Sequence, residues 1–234
     1  MQTPAQIPLT GLANTLPGSF DTARIVVPDE PAKDDIGAAS AVSARLGATL
    51  TGMLLPPVAK SSQVDLAPDK RPLILIGLNQ PRMPAALQKR VGALKDNQGL
   101  VAWADGAIVI AGPTPLGTRI AAEAFAGRAP YLWDLPGKDT NTAFDRVAGD
   151  VSAVLKTAGL EVRSLSFDEI VFEKGRDKAL SALITAAIAK GTIQKARAAA
   201  KQGLAGRDTL HYSGVEVLVI RLADGTATET ISIS

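Results

Sequence analysis

The sequence predicts an α/β protein: a mixed, mostly parallel sheet covered by helices, followed by a smaller α+β lobe. Three observations carry that expectation. Short apolar runs alternate with amphipathic stretches from Ala23 to Ala126, the order expected of strands and crossover helices. One pair of runs is joined by Ala104-Asp-Gly106, where Asp-Gly is a hairpin signal. Beyond residue 141 the order changes to helix, strand, helices and a closing pair of strands.

Residues 1–22, rich in Pro, Thr and Gly, read as an extended lead-in. Ala23-Arg-Ile-Val-Val-Pro is a first strand, after which Asp34 or Asp35 caps a helix through Leu46, ended by Gly47. Thr49-Leu-Thr-Gly-Met-Leu-Leu reads as a second strand closed by Pro56-Pro57, and a polar loop follows from Lys60 to Arg71. Pro72-Leu-Ile-Leu-Ile-Gly is an unbroken apolar run, the mark of a strand buried on both faces. Met83 to Leu94 is helical, the hairpin pairs Gly99-Leu-Val-Ala-Trp with Ala107-Ile-Val-Ile, and a helix runs from Pro115 to Ala126.

Gly137-Lys-Asp-Thr-Asn141 is the expected boundary, dividing the chain into 23–137 and 138–234. Thr142 to Ala158 places Phe144, Val147, Val151, Val154 and Leu155 on one helical side, stopped by Gly159. Glu161 to Lys174 alternates like a strand through Val162, Leu165, Phe167, Ile170 and Phe172. Leu180, Leu183, Ile184, Ala187 and Ile188 recur at helical spacing, so a helix is expected there. A second helix follows Gly191 with Thr192 as N-cap. Val215 to Leu222, a turn at Ala223-Asp-Gly225 and a last alternating strand complete the lobe.

Composition narrows the chemistry. Of 234 residues, 46% are hydrophobic and 21% charged, a globular balance, whereas aromatics are only 4%. The formal charge of +2 is too small for a nucleic-acid footprint. With no cysteine, disulfides, thiolate metal sites and cysteine nucleophiles are excluded, and the one histidine, His211, excludes a two-histidine metal site. No run approaches the roughly 20 apolar residues of a membrane span, so no membrane insertion is expected.

The sharpest functional question lies in "AGPTPLGTR", residues 111–119. It places Gly112 and Gly117 between a strand and a helix, as a phosphate-binding loop would. Two backbone donors are missing at Pro113 and Pro115, however, and Thr118 stands where lysine is needed, with Arg119 one place late. A cap explains each residue. Thr114 is the N-cap, Pro115 takes the first helical position, Gly117 lets the helix approach the sheet, and Arg119 pairs with Glu123. Phosphate binding at Thr114, Gly117, Thr118 and Arg119 is kept as the alternative.

Other groupings read as structural before functional. Asp29, Glu30, Asp34 and Asp35 are helix-capping acids ahead of a cation site. Lys190, Lys195, Arg197, Lys201 and Arg207 form a solvated basic face, with no interleaved aromatics to bind RNA. His211 is expected in a strand-entry segment in a structural role, and no Gly-x-Ser-x-Gly elbow occurs. Tyr131, Trp133 and Asp134 are the one place where aromatics gather beside a polar group, so they are the candidate ligand-binding residues, for weak glycan binding. No catalytic residue, metal site or cofactor is assigned.

The stretch "RPLILIGLNQP … QGLVAWADGAIVIAGPTPLGTRIAAEAF" resembles the accessory N-terminal α/β domains of secreted glycoside hydrolases, of the α-glucuronidase and hexosaminidase type. It is similar also to S-layer and cellulose-synthase periplasmic-subunit modules. The resemblance covers residues 23–135 and implies a domain without catalytic residues of its own. It leads to the expectation of a non-catalytic accessory or surface-assembly domain of a larger exported, polysaccharide-related protein, whose partners are other domains or subunits. The N-terminus reads as a mature exported one behind an added methionine, and Thr228 to Ser234 as a strand with no turn after it; both favour a fragment. The alternative is a cytosolic enzyme or regulator that binds a phosphorylated small molecule at Thr114–Arg119.

Overall fold

The computed structural model describes residues 7–14, 22–50, 55–66, 72–128, 142–189 and 193–234. Ten strands of these described residues form one mixed sheet: β1 Leu9–Gly11, β2 Arg24–Val27, β3 Val58–Lys60, β4 Leu73–Ile76, β5 Gln98–Ala104, β6 Ala107–Ala111, β7 Val162–Glu173, β8 Ala179–Ile188, β9 Val215–Ala223 and β10 Thr228–Ile233. Their order is β10-β9-β8-β7-β5-β6-β4-β2-β3, with β1 beside β7. Strands β2, β3, β4 and β6 run parallel, and the β5–β6 hairpin turns the sheet antiparallel toward β7. The fold is α/β.

Among the described residues six α-helices cover it: α1 Lys33–Thr49, α2 Ala85–Gly92, α3 Pro115–Arg128, α4 Thr142–Thr157, α5 Ile193–Ala205 and α6 Thr209–Ser213. Apolar residues of α1, α3, α4 and α5 share one core with Ile25, Ile74, Ile110, Phe167 and Ile184, while Leu210 and Tyr212 of α6 pack against it. Val91 of α2 and Met83 belong to a smaller core on the other face, with Val26, Leu75, Leu100 and Val109. The inner parallel strands β4 and β6 are therefore apolar on both sides, which is why Leu73-Ile-Leu-Ile76 is buried throughout. The segments 23–137 and 138–234 share this one sheet, since β5 pairs with β7 from Gln98↔Glu173 to Ala102↔Glu169.

The Asp-Gly hairpin forms as expected. Ala104 pairs with Ala107, and Asp105 and Gly106 both take positive φ, at 47° and 79°, as a tight primed turn requires. In β7 the inward set is Leu165 and Phe167, then Ile170 and Phe172, a change of parity. The register with β8 slips between Phe167 and Glu169, so Asp168 is the extra residue of a bulge and the parity change follows. Phe167 packs edge-on against Phe144 of α4, ring centroids 4.6 Å apart.

Two sequence expectations are corrected. Residues 179–188 are strand β8 and not a helix: Ala182, Ile184, Ala186 and Ile188 are buried at period two, and pairing with β7 and β9 on both sides overrides the helix preference of alanine and leucine. Helix α1 runs past Gly47 to Thr49, so the strand expected from Thr49 does not begin there; its residues 51–54 lie outside the described residues, and the outer strand paired with β2 is Val58–Lys60. The boundary Gly137–Asn141 and the cap Thr192 lie outside the described residues.

Candidate functional site

Open parallel sheets bind ligands outside the carboxyl ends of their strands, where neighbouring connections diverge. Here that edge comprises the ends of β2, β4 and β6, the first turn of α1 and the first turn of α3. Its divergence point is between β2 and β4, because α1 leads from β2 to β3 and the chain then crosses to β4 on the other side.

The chain's own groups fill this edge. Gln80, 3% exposed, donates its side-chain amide to the carbonyls of Val26 (3.1 Å) and Ile76 (2.7 Å), one on each strand flanking the divergence point. Its Oε1 is buried and has no hydrogen-bond partner. Beside it Gly77, at φ 97°, donates its N–H to the carbonyl of Ile110 on β6, and a Cβ there would stand 3.2 Å from the ring of Pro28 and 3.3 Å from the carboxylate of Asp35. The Asp35 carboxylate accepts from the N–H of Ala32 at 3.0 Å and so caps α1 from its third residue. Burial raises the Asp35 carboxyl above its ordinary value, against the lowering effect of that bond.

The loop of residues 111–119 is closed in the same way. The N–H of Gly112 goes to Thr118 Oγ1 (3.0 Å) and that of Gly117 to Thr114 Oγ1 (3.1 Å). Thr118 N–H opens the helical ladder on Thr114 O, and the Thr114 hydroxyl donates to Asp96 O at 3.1 Å. A Cβ on Gly112 would overlap the backbone of Gly117, and one on Gly117 would overlap the Gln98 carbonyl. Two donors of a phosphate nest are thus spent on threonine oxygens, and two more are prolines. Arg119 faces outward, bound to Glu123 (2.8 Å) and Asp34 (3.3 Å), and its guanidinium is held further above its usual pKa by hydrogen bonds to these two acids.

The four acids after β2 do not converge. Asp29 accepts the N–H of Ser62 at 2.9 Å, a bond that lowers its pKa; Asp34 holds Arg119, Asp35 caps α1, and Glu30 is exposed. Among the described residues no three His, Cys, Asp or Glu side chains are grouped to hold a metal ion. Arg197 pairs with Glu229 (2.6 Å), Arg207 with Asp150 (2.9 Å), and Lys201 is exposed. His211 is exposed on helix α6, a correction to its expected place in a strand entry. Tyr131, Trp133, Asp134 and Lys190 lie outside the described residues, as does the side chain of Lys195.

A cleft of about 580 Å³ that the sequence did not announce lies between α4 and α6, lined by Arg146, Asp150, Arg207, Asp208 and Tyr212. Asp150 accepts hydrogen bonds from Tyr212 Oη, Thr209 Oγ1 (2.7 Å) and Arg207 (2.9 Å). Burial acts to raise its pKa, but these three bonds outweigh it and hold the carboxyl below its usual range. Burial and the same bond push Tyr212 up to about 12. The Arg146 guanidinium stands 5.9 Å from the centre of the Tyr212 ring. Each partner of Asp150 lies 57 to 62 positions away, so no local motif could have signalled the cluster.

An α/β protein with a self-filled carboxyl edge is the class that fold and site define. No protein-family model matches the chain, and no curated protein matches it significantly. No helix among the described residues is long and apolar enough to cross a membrane.

Proposed function

We propose that the chain is a non-catalytic accessory or surface-assembly domain of a larger exported, polysaccharide-related protein. The observation that carries the reading is the occupancy of the carboxyl edge by Gln80, Asp35, Thr114 and Thr118, which spend on the fold the donors an α/β enzyme offers to substrate. The other half of the sheet lends further support. Its β7–β9 face opposite α4 and α5 carries Ser166, Asp168, Leu183, Thr185, Val219 and Arg221, all partly or fully exposed, and α2 reaches this face only near Glu169, Val171 and Leu180 among the described residues. The exported, polysaccharide-related setting rests on the resemblance of residues 23–135.

Thermal-shift titration with ATP, GTP and inorganic phosphate tests the reading, together with turnover assays on glycosides, esters and phosphates. The expected result is no shift and no turnover. A phosphate-dependent rise in Tm that Arg119→Ala abolishes would establish the alternative, a binder of phosphorylated small molecules. Oligosaccharide titration followed by tryptophan fluorescence tests the glycan part. Binding should be weak and lost in Trp133→Ala, with half-buried Trp103 as the remaining fluorophore. Fractionation of the source cells with an antibody to this chain tests export.

A further inference from the structure

We propose that β10 is a self-pairing edge, through which two copies of this chain join antiparallel about a twofold axis. The sheet ends in β3 and β10 among the described residues, and the two ends are built differently. Strand β3 has three residues, follows Pro56-Pro57 and finishes on Lys60, features that blunt an edge against further pairing. Strand β10 has six residues, Thr-Glu-Thr-Ile-Ser-Ile, with no proline, no lysine and no slip in its register with β9.

The hydrogen-bond alternation shows what β10 offers. The bond from Asp224 N–H to Ala227 O belongs to the same register as Glu229↔Leu222, Ile231↔Ile220 and Ile233↔Leu218, so these residues bond inward to β9. The N–H and C=O groups of Thr228, Thr230 and Ser232 then point away from the sheet. An antiparallel partner with Thr230 on the twofold axis sets Thr230 against its equivalent and Thr228 against Ser232, giving about six main-chain hydrogen bonds. All three outward residues are exposed hydroxyl side chains, and Thr/Ser cross-strand pairs are favourable.

Self-complementarity selects the occupant. The one ionised group of β10, Glu229, is paired with Arg197 of α5 at 2.6 Å, so two copies bring no net charge in their edge strands, and the exposed cation Arg221 stands one strand in, on β9 opposite Thr230. Ile231 and Ile233 are already buried in the core with α5, so pairing asks for no new core. Antiparallel pairing of a strand with itself is satisfied by a twofold axis, the commonest symmetry of soluble oligomers. This deepens the assembly reading above and rests on it for its biological sense. It is measured without ligand, so a monomeric chain would remove the edge while the ligand titrations still decide that reading.

The experiment is sedimentation equilibrium of the full chain from low-micromolar to near-millimolar concentration, in ligand-free buffer. The wild type should show a monomer–dimer equilibrium. Thr230→Lys places like charges at the axis and should weaken dimerisation at least tenfold at low salt, with partial recovery in high salt, while circular dichroism and Tm stay as in wild type. Thr230→Pro, which deletes an outward donor, should do the same without salt dependence; where it fails to fold, the lysine variant decides. A wild type monomeric throughout, whatever other strand then binds the edge, overturns the proposal. So does a Thr230→Lys chain that dimerises as the wild type does.

Discussion

Gly99 and Gly117 meet backbone to backbone: a Cβ on Gly99 would overlap the Gly117 carbonyl oxygen, and one on Gly117 the carbonyl of Gln98. Helix α3 is thereby seated directly on β5. Gly117 is a helical residue, so alanine there should gain about 1 kcal/mol from helix propensity alone. Overpacking against backbone that cannot rotate away costs about 1–3 kcal/mol or more. The clash should win, and Gly117→Ala should unfold at lower denaturant concentration than wild type. A stabilised Gly117→Ala would show that helix α3 and strand β5 leave room for a methyl group between them.

The threonines of the same loop should separate by burial. Thr114→Ala removes a cap at the margin of the helix and should cost about 0.5–2 kcal/mol. Thr118, 1% exposed, holds the buried N–H of Gly112, so Thr118→Val keeps the shape and strands a donor, at about 1–3 kcal/mol. Thr118→Ser keeps the hydroxyl and should recover most of that loss. Chemical denaturation of the three variants checks the order, and a Thr118→Val as stable as wild type would mean the N–H of Gly112 is satisfied elsewhere.

These loop features were legible because caps, prolines and glycines act locally: the Thr114 cap on Gly117 and the Arg119–Glu123 pair span three and four positions, whereas the bonds of Thr114 to Asp96 and of Arg119 to Asp34 are long-range and carry no local signal. The strand β8 was not. Its Leu180, Leu183, Ile184, Ala187 and Ile188 fit a helical stripe, while Ala182, Ile184, Ala186 and Ile188 fit a strand, and the small alanine satisfies either. The choice is made by β7 and β9, one before it in the chain and one after. Gln80 gave no signal either, since a glutamine among loop prolines has no periodicity to betray that its amide joins two strands.

The cluster around Asp150 should make stability depend on acid. Its folded pKa is depressed below the unfolded value, so the stabilisation is complete above the unfolded pKa, near 3.9, and is lost as pH falls through the lower folded value. Asp150→Asn should therefore be less stable than wild type at pH 7, with the gap closing toward pH 2. Tyr212, held up to about 12, should stay protonated through pH 10 by absorbance titration. A difference between wild type and Asp150→Asn that is constant from pH 7 to pH 2 would detach the carboxylate from its three donors.

An ion pair ties helix α2 to β7, beside the apolar cluster that Val91 and Leu87 share with Val171 and Leu180. Arg90 bonds Oε1 of Glu169 through Nε and Nη2, both at 2.8 Å, and the carboxylate side chain is 8% exposed whereas the guanidinium side is 45% exposed. The two partners are thus unequal. Arg90→Ala strands a buried carboxylate and should cost more than Glu169→Gln, which removes the charge and leaves a hydrogen-bonding group. Equal losses in the two variants would place Glu169 in contact with water.

Gln80 gives the most direct test of the filled edge. Its amide nitrogen donates to two strand carbonyls, so Gln80→Glu replaces two donors with an anion that faces acceptors. Burying that charge costs several kcal/mol in an apolar setting, and the group responds by raising its pKa. The sign follows: a folded pKa above the unfolded value, near 4.3, leaves the variant least penalised below pH 4. The penalty then grows as pH rises through the folded pKa and levels off above it. Below pH 4 the protonated acid supplies one donor in place of two, so a residual loss of about 1 kcal/mol should remain. Gln80→Met, which has no charge, should lose a similar amount at every pH. Denaturant curves of wild type and both variants from pH 4 to pH 8 measure this directly. A Gln80→Glu chain with the same loss at both ends of that range would show that residue 80 is solvated, and that the crevice between β2 and β4 stands open for a ligand.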